Sequence, residues 1–227
     1  MRYFQPALLF VILSLSMNSA LCEIKTERAY TKAERVEIAI KEGNIEELLF
    51  LVESGFDVNE PLKDGTTALH IATANNQEKA VQILLEAGAN VQATESRTGA
   101  TPLHLAAVHD HAEIAKILIQ HKADINATMN FELTPVLVAT QFKRPKTLQL
   151  LIDKHADINL PDKEGFTPLH LAVQNGDEAL AHVLIQNGAN LNAHPKSNQM
   201  TPLMLAIRNN NLRLIAMLKA HGAKLNQ

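Results

Sequence analysis

The chain has 227 residues, 46% of them apolar and 4% aromatic with no tryptophan, and a formal net charge of −3 at pH 7. That apolar share suffices for a core, and the near-neutral balance is unlike the basic footprint of a general nucleic-acid binder. The single cysteine, Cys22, excludes an internal disulfide framework.

Residues 1–22 open with Met1-Arg2, continue as a mostly apolar run from Pro6 to Ser16, and end in Ala20-Leu21-Cys22. A short positive start, an apolar stretch and small residues before Glu23 predict a secretory signal peptide. The run is short for a membrane span, which needs about 20 residues. Two alternatives stay open: Cys22 as a lipidated first residue, although Leu21 replaces the usual small residue before it, or an uncleaved anchor. The expected localisation is outside the cytoplasm, periplasmic or secreted, with a membrane-anchored lipoprotein through Cys22 as the alternative.

Residues 23–32 are polar and form a linker. Two helical patterns follow, Ala33 to Lys41 and Ile45 to Ser54, broken at Gly43-Asn44. Beyond them the chain repeats one plan: a Thr-led helix, a short turn, a more apolar second helix and an Asp/Asn-rich exit. Gly55, Gly88, Gly188 and Gly222 fall just past second helices, where a left-handed residue is expected. Lys122 and His155 take the same place and are expected to share that geometry at a cost of about 1 kcal/mol each relative to glycine. Glu132 and Gln199 stand where Gly65, Gly99 and Gly165 precede the signature threonine, so those two loops are expected to differ in shape. The last unit, Thr201 to Gln227, is expected to close the array.

The repeated plan carries a signature. Thr67-Ala68-Leu69-His70, Thr101-Pro102-Leu103-His104, Thr134-Pro135-Val136-Leu137, Thr167-Pro168-Leu169-His170 and Thr201-Pro202-Leu203-Met204 recur at steps of 34, 33, 33 and 34 residues. Threonine suits an N-cap, and proline at the first helical position loses no hydrogen bond. The tetrapeptide and its period resemble the ankyrin repeat. That resemblance implies an all-α fold: an ankyrin-repeat α-solenoid of about six helix-turn-helix repeats joined by β-hairpin-like loops. The repeat domain would span 31–227, with repeats near 31–63, 64–97, 98–130, 131–163, 164–197 and 198–227. It further implies that His70, His104 and His170 bond locally to hold their turns, while Leu137 and Met204 trade that bond for packing.

No catalytic constellation is present: no Gly-rich phosphate loop, no His-Glu-x-x-His, no Gly-x-Ser-x-Gly. The expectation is a non-enzyme without metal or cofactor. Of ten histidines, three lie in the signature, and His121, His155 and His221 fall near ends of second helices, where they complement the helix dipole. His109 and His111 are close in sequence but have no third ligand at metal-site spacing. The basic run Lys143-Arg144-Pro145-Lys146 suits a solvated turn, and Asn126-Ala127-Thr128 is a glycosylation sequon only in a eukaryotic secretory route.

The resemblance places partner contacts on the concave face, at loop tips such as Lys63 and Thr66 and at the outer ends of first helices such as Asn75. Past the leader there are five phenylalanines, at 50, 56, 131, 142 and 166, and the last three map to this face in consecutive repeats. Phe131, Leu133, Phe142, Phe166 and Met200 are therefore candidates for the apolar centre of a partner site, rimmed by Arg97, Lys143, Lys163 and Arg208. The competing role is filler between loops, and exposure separates the two. Phe50 and Phe56 are expected to serve the core or the cap of repeat one. The expected function is non-catalytic protein binding by an exported monomer, in a family whose small signal-bearing members resemble bacterial proteins. Neither nucleic acid nor membrane is an expected partner, unless Cys22 is lipidated or the leader retained. Narrower versions are an immunity, inhibitor or accessory protein for one enzyme, or a secreted effector acting on host proteins.

Overall fold

The computed structural model describes residues 30–62, 65–195 and 199–225. The expected signal peptide, Cys22 and Lys63 lie outside them. Among the described residues there are twelve α-helices and no strand. Repeat one holds α1 (Lys32–Glu42) and α2 (Ile45–Glu53), and repeat two α3 (Ala68–Ala74) and α4 (Glu78–Glu86). Repeat three holds α5 (Pro102–His109) and α6 (Ala112–Gln120), and repeat four α7 (Pro135–Gln141) and α8 (Pro145–Asp153). Repeat five holds α9 (Pro168–Gln174) and α10 (Glu178–Gln186), and repeat six α11 (Pro202–Arg208) and α12 (Leu212–Ala220). None of these helices is long and apolar enough to cross a membrane.

Helices this short are marginal in isolation, so their stability comes from packing. The odd-numbered helices stack as one layer and the even-numbered as a second. Two residues after each signature threonine, Leu69, Leu103, Val136, Leu169 and Leu203 are buried. Five residues after it, Ala72, Ala106, Ala139, Ala172 and Ala206 are buried as well, and their small side chains let the inner helices approach. In the outer layer Leu84, Leu118, Leu151, Leu184 and Leu218 recur at the same register, all buried. The core is thus one continuous spine, each segment completed by its neighbour.

The helix ends follow the local chemistry. Prolines 102, 135, 168 and 202 open their helices behind N-cap threonines. Repeat one has its own N-cap, which the signature did not reveal. The Thr31 amide donates to Glu34 Oε2 at 3.0 Å, and the Glu34 amide to Thr31 Oγ1 at 3.2 Å, the reciprocal box that a Thr-x-x-Glu spacing allows. Past the second helices, Lys122 (φ 71°) and His155 (φ 63°) share the left-handed backbone of the glycines there.

The connections return on themselves as fingers, each closed by a backbone bond such as Glu95 N–H to Ala100 O (2.9 Å) or Asp162 N–H to Phe166 O (2.9 Å). Neighbouring fingers are stitched by Asn130 N–H to Thr98 O (2.8 Å) and Lys163 N–H to Phe131 O (2.9 Å). Glu132 (φ 59°) and Gln199 (φ 52°) keep the left-handed turn that Gly65 makes at φ 73°. The loop before Thr134 differs for another reason: Phe131, at φ 64°, makes two left-handed residues in succession, inside a 3-10 turn over Asn130–Glu132.

Candidate partner-binding face

The signature histidines do more than hold their own turns. The Thr101 amide and hydroxyl lie 3.2 and 2.9 Å from His104 Nδ1, while Nε2 lies 3.0 Å from the carbonyl oxygen of Leu133, in the next repeat. Two donors face Nδ1 and a pure acceptor faces Nε2, so the neutral ring carries its proton on Nε2. His70 reaches Ala100 O (3.2 Å) and His170 reaches Met200 O (3.0 Å) in the same way. Each ring spans a seam, ending on the residue just before the next signature threonine. Burial is the main cause that lowers the pKa of all three, and His104 falls to about 4.

Where the histidine is absent the threonine hydroxyl turns to the helix: Leu137 N–H and Met204 N–H each donate to it at 3.3 Å. The threonine thus keeps a cap bond, while Leu137 and Met204, as expected, forgo the histidine's local bond to the threonine amide, and Leu137 forgoes in addition the bond across the seam to repeat five.

A second set of ties runs along the exits. The Asn90 amide donates to Asn59 Oδ1 at 2.7 Å, and Asn59 Nδ2 donates to Gly88 O at 3.1 Å. Asn190 N–H to Asn159 Oδ1 (2.7 Å) and Lys224 N–H to Asn192 Oδ1 (2.9 Å) repeat it. Asp57, Asp124 and Asp157 meanwhile accept from the amide two residues on and fix each exit turn.

A family model described as ankyrin repeats, in three copies, matches residues 36–129 and again 130–227. The chain belongs to the ankyrin-repeat family. The crystal structure of the ankyrin repeat domain of Bcl-3, a member of the IkappaB family, superposes with a TM-score of 0.79 at 31% identity, over 87% of this chain and 89% of that one. Among curated proteins, Rabankyrin-5 of Homo sapiens is 41% identical over 70 residues, and the palmitoyltransferase Hip14 of Drosophila melanogaster 44% over 55. Those matches span 26% and 24% of this chain but only 6% and 9% of the relatives' length. Proteins built on ankyrin repeats are generally protein-interaction modules, and the likeness to Hip14 covers repeats alone.

On this ankyrin scaffold the five apolar candidates divide. Phe131 is 71% exposed and Phe142 49% exposed. Leu133 and Met200 are half-buried and packed against the core, the position of filler between fingers. Phe166 is half-buried too, its ring edge-on to His170 at 5.6 Å. The two exposed phenylalanines stand at opposite ends of α7, whose seven residues rise about 10 Å. They bracket one inner helix rather than touching.

The four basic candidates are exposed, and none is in an ion pair among the described residues. Lys163 shares a cleft of about 400 Å³ with Glu132, Asp162 and Glu164, so the fingers there are of mixed charge. Lys143 and Arg208 lie at the other row, the ends of inner helices. Within the basic run, Arg144 is not merely solvated: Nε donates to Val108 O at 2.6 Å, closing the end of α5 from the next repeat. His109 stacks on His111 with centroids 5.5 Å apart. Partial burial, then His111 and Arg144, lower the His109 pKa. No group of three or more metal-ligating side chains gathers among the described residues.

Phe50 corrects one expectation. Phe56 is buried, but Phe50 is 57% exposed, with the Arg35 guanidinium 6.0 Å from its ring centroid. It sits on the open side of repeat one, where no preceding described repeat covers it.

Proposed function

We propose that this ankyrin-repeat chain is a non-catalytic binding module, exported through its leader, that holds a partner protein on the concave face made by its fingers and first helices. The observation that carries the reading is Phe131, 71% exposed on a left-handed backbone. That conformation costs an L-residue about 1–2 kcal/mol, and full burial of the ring in a partner would return about 1.5–3 kcal/mol. Strain of this kind gathers at functional sites. Phe142 supplies a second anchor across α7, with Lys143, Arg97, Lys163 and Arg208 as the polar rim. Export rests on the charge and apolar pattern of residues 1–22.

Affinity capture from a periplasmic extract and from culture supernatant, with the native chain and with a Phe131→Ser/Phe142→Ser variant of matched thermal stability, tests the face. Retention of a protein by the native chain and its loss with the variant is the expected result. Equal recovery with both removes this face from consideration. Cell fractionation tests export, and a leader-bearing chain confined to the cytosol would reject it. An enzyme inhibitor and an effector on host proteins would use the same face, and the identity of the retained protein separates them.

A further inference from the structure

Four residues after each signature threonine the inner helices carry an apolar side chain that is not equally covered along the array. Val138, Leu171 and Leu205 are buried, at 2%, 8% and 1% exposure, whereas Ile71 and Leu105 are only half-buried. With Leu62, from the finger between repeats one and two, these two line a cleft of about 240 Å³. Its walls come from repeats one, two and three, so it does not depend on what flanks the array. Small-molecule pockets begin at about 300 Å³. The cleft therefore suits one long side chain of a partner rather than a cofactor.

Two carboxylates line it as well. Glu37 on α1 meets Lys41 Nζ at 2.6 Å, one turn along the same helix. Such a surface pair is worth little, and the Lys41 side chain is 53% exposed, so the lysine is loosely held. Glu95, on the next finger and half-buried, accepts from Thr98 Oγ1 at 2.7 Å and has no basic partner among the described residues. Arg97, on the same finger, opens into a neighbouring cleft with Thr66 and Thr98.

We propose that this cleft takes a lysine or arginine side chain of the partner protein, its aliphatic stem on Ile71 and Leu105 and its cationic head on Glu95, with Glu37 as a second acceptor. Long cationic side chains combine an apolar stem with a charged head, and a half-buried carboxylate binds such a head more strongly than an exposed one does. An acidic side chain would meet two like charges. A purely apolar one would desolvate Glu95 without pairing it. The inference rests on the concave face as the binding side, and it names the part of the partner that reaches repeats one to three.

Titration of the isotope-labelled chain, as the cell processes it, with N-acetyl-arginine amide and with N-acetyl-lysine amide tests the cleft by amide shifts. At low salt a saturable shift is expected at Ile71, Glu95 and Leu105, and the tighter of the two probes identifies the preferred head. N-acetyl-norleucine amide and N-acetyl-glutamate amide should bind several times more weakly. Glu95→Gln keeps an acceptor for Thr98 and should weaken the cationic probe about tenfold. No saturable shift with either cation, equal binding of the norleucine amide, or binding untouched by Glu95→Gln overturns the proposal. The same variant separates this inference from the reading beneath it. A partner lost with Phe131→Ser/Phe142→Ser but held undiminished by Glu95→Gln would leave the concave face standing and remove the cleft.

Discussion

The imidazole of His104 and the carbonyl of Leu133, 29 residues apart in sequence, are joined by a 3.0 Å hydrogen bond that ties repeat three to repeat four. The bond needs Nε2 to donate and Nδ1 to accept from Thr101, so only the neutral ring satisfies both neighbours.

Acid should therefore loosen the solenoid through these rings. With its folded pKa lowered to about 4 from 6.5, His104 contributes nothing to the pH dependence above about pH 7. As pH falls from 6.5 to about 4 the unfolded chain takes up the proton first, removing about 3 kcal/mol, and below that the loss levels off. His70 and His170 act in the same direction. His104→Leu leaves Leu133 O still accepting from Met129 N–H at 3.0 Å. It should cost about 1 kcal/mol at pH 7.5 and become the more stable form between about pH 6 and 5. Urea titrations across that range check the crossing; parallel curves would refute the assignment.

The seam between repeats four and five lacks such a ring, and its outer helices α8 and α10 meet less closely than α6 and α8 do. Because a solenoid's stability is a sum over units and seams, hydrogen exchange should show α9–α12 opening separately from α3–α6. Leu137→His, placed behind Thr134, should supply the missing donor to Phe166 O. The expected gain is about 1 kcal/mol at neutral pH, with protection rising across that seam. A fall in stability would mean the pocket cannot hold the ring.

Lys122 and His155 occupy left-handed positions at φ 71° and 63°. Lys122→Gly and His155→Gly should each stabilise the chain by about 1 kcal/mol, seen as a higher melting temperature. Unchanged or lower melting would show that those side chains make a compensating contact.

Thr73 is fully buried and its hydroxyl finds no partner among the described residues, while Thr140 at the same register donates to Val136 O at 2.8 Å. Repeat five has Val173 there, also fully buried. Thr73→Val keeps the shape and removes the unsatisfied group, so denaturant titration should show a gain of about 1 kcal/mol. A loss would place a donor or acceptor near that hydroxyl.

What the sequence alone determined is what depends on local chemistry. The 33–34-residue period, the Thr-Pro starts and the left-handed exits at Lys122 and His155 all follow from caps, φ preferences and spacing within a few residues, and the structure has them where they were expected. The tertiary structure decided everything that joins one repeat to the next. His104 meets Leu133, Asn59 meets Asn90, and Arg144 closes α5 only because stacking brings residues about one repeat apart into hydrogen-bond range. It likewise separated Phe131 from Phe142, turned Phe166 onto His170 and left Phe50 uncovered. Nothing in a residue's own neighbourhood says whether another repeat lies over it, and in a stacked array that single circumstance sets burial, and with it which side chains remain free to bind.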